Sequence, residues 1–420
     1  MENKLKKFYL KDSNERLKIL NEVGYIKDAE KPFFSTERSS SIVENHIFNF
    51  EIPLGVALNF NINGKDYIVP MATEEPSVIA AASNGAKTLS KIEATCTQKN
   101  VIGQIVLHEI EDVDFVSNAI IENKEIIIEK AKRLTASMIK RGGGPRNLWV
   151  ETFEDGEDGY VSMYLSIDTV DAMGANTINT VLEDISEYID EITRSKFLMR
   201  IISNNAIESI VKARAEIEIG VLSKDREEAK EIAKRIHKAC LYANLDKFRA
   251  VTHNKGIMNG IDAVLIATGN DFRAVEASCH AYAIKDNKYG SLTKWIYNEL
   301  EDTLEGSIEI PMSVATVGGT INANPMAKWS LELLGNPNSK ELAQIIASVG
   351  LAQNFSAIRA IVTSGIQKGH MSLHARSLAS QAGAKEKEVE TVVNLLKKQD
   401  KINLENAVKL LQEIRDKVSY

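Results

Sequence analysis

Residues 1–30 alternate charged positions with Leu and Ile at helical spacing, which predicts an exposed helical lead-in. From Ile47 the period falls to two. Ile47 to Ile52, Val56 to Ile62 and Tyr67 to Val69 read as paired strands, the last two joined by a turn at Asn63-Gly64. Thr73 to Ala82 then opens a helix, with Pro76 suited to the first helical position because its missing N–H has no partner there. The helix dipole favours a carboxylate at such a place, so Glu74 and Glu75 have an ordinary structural explanation.

From 101 to 204 the pattern is strand (Ile102 to Ile110), long helix (Phe115 to Lys140, stopped at Gly142-Gly143-Gly144), strand (Asn147 to Phe153), charged turn, strand (Tyr160 to Ile167), helix (Thr177 to Arg194) and strand (Phe197 to Ser203). This β-α-β-β-α-β order is the split pattern of ferredoxin-like folds and reads as an inserted domain. No GxGxxG follows a first strand, so a Rossmann fingerprint is absent.

Ile210 to Val221 and a helix at Arg226 to Tyr242 return the chain to its first domain. The stretch Arg249 to Glu276 then interrupts apolar sequence with Asn254-Lys255-Gly256, Asn259-Gly260 and Gly269-Asn270-Asp271. It fits a polar loop with solvated charges leading into a core segment. It fits equally a lysine or carboxylate held in a low-dielectric cleft, where a shifted pKa can serve catalysis. Glu309 to Thr320 reads as a strand running into the turn Gly318-Gly319, and a helix runs from Lys340 towards Gly365. Three short amphipathic helices follow, Gly369 to Ala382, Glu386 to Lys398 and Leu404 to Lys417. Together they read as too small to hold a core of their own, hence as a mobile tail docked on the rest.

Composition narrows the class. A chain of 420 residues exceeds one ordinary core, so two or three domains are expected, and 44% hydrophobic with 26% charged residues is usual for a soluble globular protein. The net charge of −7 and the lack of a basic cluster argue against nucleic-acid partners. Three cysteines without CxxC spacing suggest neither disulfides nor a zinc ribbon and suit a reducing cytoplasm. No export signal is read at Met1 to Lys7, and no apolar run approaches the ~20 residues that span a bilayer.

Four separated motifs acquire meaning together: Glu74-Glu75-Pro76-Ser77, Asp171-Ala172-Met173-Gly174-Ala175-Asn176, Asn254-Lys255-Gly256 with Gly269-Asn270-Asp271, and Gly369-His370-Met371-Ser372-Leu373-His374. In this order, with Val317-Gly318-Gly319 before the last, they resemble 3-hydroxy-3-methylglutaryl-CoA reductase, nearest the soluble bacterial second class. The likeness covers about residues 40–380. It implies an α+β fold with a discontinuous substrate-binding domain (1–100 and 206–365), an inserted ferredoxin-like dinucleotide-binding domain (101–205) and a C-terminal helical flap (366–420). It also implies four-electron reduction of HMG-CoA to mevalonate and CoA by two NAD(P)H, in a homodimer or higher homo-oligomer whose active sites lie at the subunit boundary.

The chemistry assigns roles within that resemblance. Lys255 faces the oxyanion formed when hydride reaches the thioester carbonyl. Glu75 is the general acid, and Asp271 couples to both. His370 protonates the departing CoA thiolate, as an imidazole with pKa about 6.5 can near neutral pH. Arg249 matches the arginine that grips the terminal carboxylate, and Ser77 and Asn259 match further substrate contacts. Asp171, Met173, Gly174 and Asn176 match the cofactor motif, ahead of a helix whose amino end can face the pyrophosphate. Zinc at His370 and His374 is disfavoured, since there is no HExxH pattern and no third ligand.

Two departures from the family stand out. Glu44-Asn45-His46-Ile47 is followed by Phe48, where relatives often have glycine. Thr135 aligns with the acid that NADH-preferring relatives use to bind the ribose 2′-hydroxyl, and Lys132, Arg133 and Lys140 lie nearby, which leans towards NADPH. A mevalonate-oxidising, NAD-preferring enzyme and a retired acyl-CoA or nucleotide-binding module remain as alternatives.

Overall fold

A computed structural model describes residue 5 and residues 7–27, 39–40, 42–156, 158–363, 375–399 and 401–418. Helix α1 (Ser13–Glu22) begins with a capping box, Asp12 and Glu15 each accepting from the other's backbone N–H. It docks through Leu20 on Ile68 and Leu333. Strands β1 (Leu54–Ile62) and β2 (Lys65–Ala72) form the expected hairpin, and the turn residues Asn63 and Gly64 both take positive φ, as a two-residue hairpin loop requires. The expected strand over Ile47–Ile52 does not form. That segment is irregular and its apolar residues are exposed, Phe50 at 88%, and among the described residues no strand pairs with it.

Helix α2 (Val78–Leu89) starts two residues later than expected. Pro76 lies in the preceding turn, and Ser77 is the N-cap at φ 81°. β3 (Glu93–Cys96) then leads into the inserted unit. Its strands β4 (Asn100–Ile110), β5 (Gly144–Asp155), β6 (Asp158–Asp168) and β7 (Lys196–Ser203) pair antiparallel in the order β5-β6-β4-β7. The single long helix expected between β4 and β5 is three: α3 (Val113–Glu122), α4 (Lys124–Leu134) and α5 (Ala136–Ile139). It breaks at Asn123 and Thr135, whose side chains bond back to Ala119 O and Ala131 O, a habit that bends helices. Helix α6 (Ala175–Thr193) buries Ile178, Val181, Leu182, Ile185 and Ile189 at helical spacing against β4 and α3.

The chain returns through β8 (Ile210–Glu218), α7 (Arg226–Tyr242), α8 (Lys247–Ala267), α9 (Phe272–Tyr282) and the small hairpin β9 (Ile284–Lys285) and β10 (Lys288–Tyr289). It continues into β11 (Thr293–Asn298) and β12 (Thr303–Pro311), giving a second sheet ordered β11-β12-β8-β3. After α10 (Gly319–Ala323) and α11 (Pro325–Leu333) comes α12 (Ser339–Val362), opened by a capping box of Asn338 and Glu341. By length and composition α12 could cross a membrane, contrary to the reading that no run is so apolar. Its apolar residues instead fill the centre of the large core against α2, α8 and the second sheet.

The polar stretch around Lys255 is not a loop but the middle of α8, whose amino end is capped by Asp246. The C-terminal segment also differs from expectation. Residues 375–381, α13, with α14 (Glu386–Leu396) and α15 (Leu404–Val418), enclose a separate cluster that includes Leu378, Val392, Leu396 and Leu411. Three amphipathic faces turned towards one another bury what one alone cannot.

The position of α2 depends on Gly85, where an added Cβ lies 2.1 Å from the Ala352 carbonyl oxygen on α12. Gly85→Ala is therefore expected to cost about 1–3 kcal/mol, read as a lower urea midpoint, since backbone cannot step aside as a side chain can. An unchanged midpoint would show that the α2–α12 contact has slack.

Candidate active site

Glu75 sits in the turn before α2, with its backbone N–H donating to Thr73 Oγ1 at 3.2 Å. Lys255 and Asn259, one turn apart on α8, both reach its carboxylate. Lys255 Nζ lies 2.9 Å and Asn259 Nδ2 3.3 Å from the same Oε2. Residues 180 positions apart in the chain thus share one oxygen. The pair is open to solvent on this chain, with the Lys255 side chain 62% and the Glu75 side chain 42% exposed. The low-dielectric cleft is therefore not made by these elements alone.

Asp271 is placed differently. It is the N-cap of α9, its Oδ1 accepting from the backbone N–H groups of Arg273 at 3.1 Å and Ala274 at 3.2 Å and pairing with the Arg273 guanidinium at 3.0 Å. Among the described residues it makes no hydrogen bond to Glu75 or Lys255. Ser77 adjoins Glu75 with its left-handed backbone, and its carbonyl accepts from Ala81. Arg249 is half-buried in the first turn of α8, and burial pulls the guanidinium's pKa down. Its guanidinium has no acid partner among the described residues, the condition for gripping a carboxylate from outside. His370 and His374 fall outside the described residues.

Behind this face is a buried polar lattice that the sequence did not announce. His253 Nε2 lies 2.8 Å from Thr293 Oγ1, 2.7 Å from Ser291 Oγ and 3.1 Å from Asn354 Nδ2. Asn354 Oδ1 also accepts from Trp295 Nε1 at 2.8 Å, which ties α8, α12 and β11 together. Burial first, then the Arg249 charge, lowers the His253 pKa to about 3. Asn270 clamps Ala315 through both its backbone N–H and its carbonyl, at 2.8 and 3.1 Å. Asp262, seven residues after Lys255 and so on its helix face, has its pKa raised by burial and then by its hydrogen bond with Glu276.

Residues 171–176 lie where the β5-β6-β4-β7 sheet unit meets the large core. The Asp171 carbonyl accepts from Thr316 N–H at 2.9 Å and Val317 N–H at 3.2 Å, and its Oδ1 accepts from Ser339 N–H at 2.8 Å. Met173 packs half-buried against the large core. Gly174 is the N-cap of α6 at φ 81°, and a Cβ there would meet Thr169 Cγ2 at 2.3 Å. No side chain caps α6 and no acid sits in its first turn. Its amino end is thus suited to an anion, with Asn176 exposed beside it. Thr135 is elsewhere, 1% exposed, its hydroxyl donating to Ala131 O at 2.8 Å, so it presents no group to a ribose.

Residues 12–375 match the family model described as hydroxymethylglutaryl-coenzyme A reductase. The chain belongs to that family. It is 41% identical, over 99% of its length and 95% of the relative's, to the 3-hydroxy-3-methylglutaryl-coenzyme A reductase of Archaeoglobus fulgidus. It is 35% identical, over 87% of its length and 84% of the relative's, to the probable enzyme of Borreliella burgdorferi. Among solved structures it resembles the class II reductase of Streptococcus pneumoniae bound to NADPH in open conformations, with TM-score 0.81, 41% identity, and coverage of 96% of this chain and 100% of that one. Family membership makes the chain an NAD(P)H-dependent oxidoreductase acting on HMG-CoA in the mevalonate pathway.

The residues missed from sequence, His253 and Asp262 on α8, flank the Lys255 motif, and Asn270 was read only as part of Gly269-Asn270-Asp271; polar residues carry no local sign of burial. The folded pKa of His253, about 3, lies below the ordinary 6.5, so between these values the unfolded chain holds a proton that the folded chain refuses. Stability present above pH 6.5 is lost on acidification towards pH 3, at up to ~1.4 kcal/mol per pH unit. Thermal melts across this window should show a shallower acid slope for His253→Asn than for the parent. Identical slopes would remove His253 from the acid response.

Proposed function

We propose that Glu75, Lys255 and Asp271 surround the reacting carbonyl and His370 protonates the leaving thiolate as HMG-CoA, two NAD(P)H and two protons become mevalonate, CoA and two NAD(P)+. The observation that carries this reading is the Glu75–Lys255–Asn259 cluster, with both donors on one carboxylate oxygen. Lys255 supplies the charge that stabilises the oxyanion at the thioester carbon. The C–S bond then breaks and the thiolate takes its proton from His370. Glu75 gives the proton that completes the alcohol. Asp271 joins this network when the site closes. Arg249 holds the terminal carboxylate, with Ser77 and Asn259 beside it.

When bound, the reduced nicotinamide supplies a hydride in each of the two reductions. Asp171, Met173, Gly174 and Asn176 hold it, a reading supported by the uncapped amino end of α6, which suits a pyrophosphate. NADPH is preferred over NADH. Lys132 and Arg133, exposed near the end of α4, offer positive charge to a 2′-phosphate. The cofactor binds to the inserted domain, 101–205, the substrate to the domain formed by 1–100 and 206–365, and the helical segment 366–420 closes over both.

The functional unit is a homodimer in which a second copy covers the site. The solvent-open Lys255–Glu75 pair and the exposed apolar run Ile47, Phe48 and Phe50 support this, since reduction requires water excluded from a site now open. Sedimentation should give a dimer that Phe50→Asp weakens; a monomeric, fully active enzyme would contradict it.

Activity tests the chemistry directly. Lys255→Ala should lower kcat by about a hundredfold or more without lowering Tm. His370→Ala should impair thioester reduction far more than reduction of free mevaldehyde, in which no thiolate leaves. Equal damage to both reactions would remove His370 from its role, and a lower KM for NADH than for NADPH would reverse the cofactor preference.

A further inference from the structure

One fully buried charge takes no part in the chemistry above. Lys99 lies in the link between β3 and β4, where the chain enters the inserted unit, and is 1% exposed. Lysine is almost never so buried without a partner, yet among the described residues Lys99 makes no ion pair. Its Nζ lies 3.0 Å from Thr169 Oγ1, 3.2 Å from the Val170 carbonyl and 2.6 Å from the Ala172 carbonyl. Three N–H donors meet three acceptors, all on the turn that leads into the cofactor motif. The Thr169 hydroxyl in turn donates to Ala172 O at 2.7 Å.

This turn is strained. Val170 has φ 56°, a left-handed conformation that a β-branched side chain adopts only when its surroundings enforce it, and Gly174 follows at φ 81°. The two carbonyls that Lys99 binds flank Asp171, whose own carbonyl is held from the other side by Thr316 and Val317. An apolar side chain of equal length could fill the space without desolvating a charge, but it could not hold three acceptors in this shape.

We propose that Lys99 is a positioning residue for the dinucleotide, its ammonium holding the Val170–Gly174 turn in the strained shape that presents the amino end of α6 to the cofactor phosphates. This rests on the reading that residues 171–176 hold the cofactor. Lys99 touches neither substrate nor cofactor and acts through the turn.

Protonation matters to the clamp. Burial lowers the Lys99 pKa to about 8, against the opposing pull of Asp171, Asp168 and Cys96. These are the titratable groups that face it. Asp168 is itself paired with Arg146, Asp171 accepts from Ser339, and burial pushes the Cys96 thiol up despite Lys340 nearby. A neutral amine has two N–H groups for three acceptors, so deprotonation frees one corner of the turn. From about pH 8 to the ordinary 10.5 the unfolded chain holds the extra proton, so this group's contribution to stability rises with pH in that window. Cofactor release above about pH 8 is thereby separable from unfolding.

The test uses the full chain, with NADPH as the probe. For the parent, NADPH affinity measured by fluorescence titration should fall through a midpoint near pH 8 while the Tm without cofactor does not fall in step. Lys99→Met should raise the NADPH KM about tenfold or more, flatten that pH dependence, and leave the HMG-CoA KM within about twofold. Asn176→Ala, in the first turn of α6, is the control. If it raises the NADPH KM and Lys99→Met does not, the Lys99 proposal alone fails. If it leaves the NADPH KM unchanged, the reading that residues 171–176 hold the cofactor fails. If Lys99→Met does not fold, the parent profile decides, and affinity flat to about pH 9 overturns the proposal.

Discussion

The close crossing of α8 and α12 sets the geometry on which the site depends. At Gly260 an added Cβ would meet Gln353 Cβ at 3.0 Å, and at Gly350 one would meet Ile261 Cδ1 at 3.0 Å. Each glycine weakens its helix by about 1 kcal/mol relative to alanine, a cost offset by letting the two helices approach. α2 approaches α12 in the same way at Gly85, and the Ser356 hydroxyl on α12 donates to Ala81 O at 2.7 Å. With α8 and α2 both seated on α12, Lys255 and Asn259 meet the turn that carries Glu75.

Polarity is distributed unevenly around that frame. Neutral groups such as Asn354, Thr293 and Asn270 are buried and partnered, and His253 is held through Nε2. The charged pair proposed for the chemistry is left at the surface. A charge buried permanently would shift towards its neutral form, whereas one covered only during turnover keeps its charge until the reaction needs it. The arrangement suits a site completed by elements from outside these helices. The same logic makes Lys99 unusual, a buried ammonium whose three donors all bind backbone or hydroxyl oxygen rather than a counter-ion.

Much of the fold was legible because hydrophobic periodicity is local. The β1–β2 hairpin, the strand order of the inserted unit and helices α6 and α7 lie where the spacing put them. Most misreadings share one cause, a distant partner or its lack; the helix breaks are local. Ile47–Ile52 alternates like a strand but has no strand to pair with among the described residues. The Lys255 stretch carries glycines and asparagines that suggest a loop, yet α12 packs α8 into one continuous helix. Asn123 and Thr135 break a helix whose apolar pattern runs on through them. The C-terminal helices looked too few for a core, but their faces converge on each other.

By itself the sequence determined which side chains can do the chemistry. Carboxylates, a lysine and an arginine carry their acid–base character wherever the chain puts them, and the spacing of 255 and 259 places both on one helix face. Only the tertiary structure decided that Glu75 meets that face and that Lys99 rather than a surface residue holds the turn before α6. Those outcomes depend on contacts between residues tens to hundreds of positions apart, and local spacing cannot encode the separation of two helices or the burial of one ammonium.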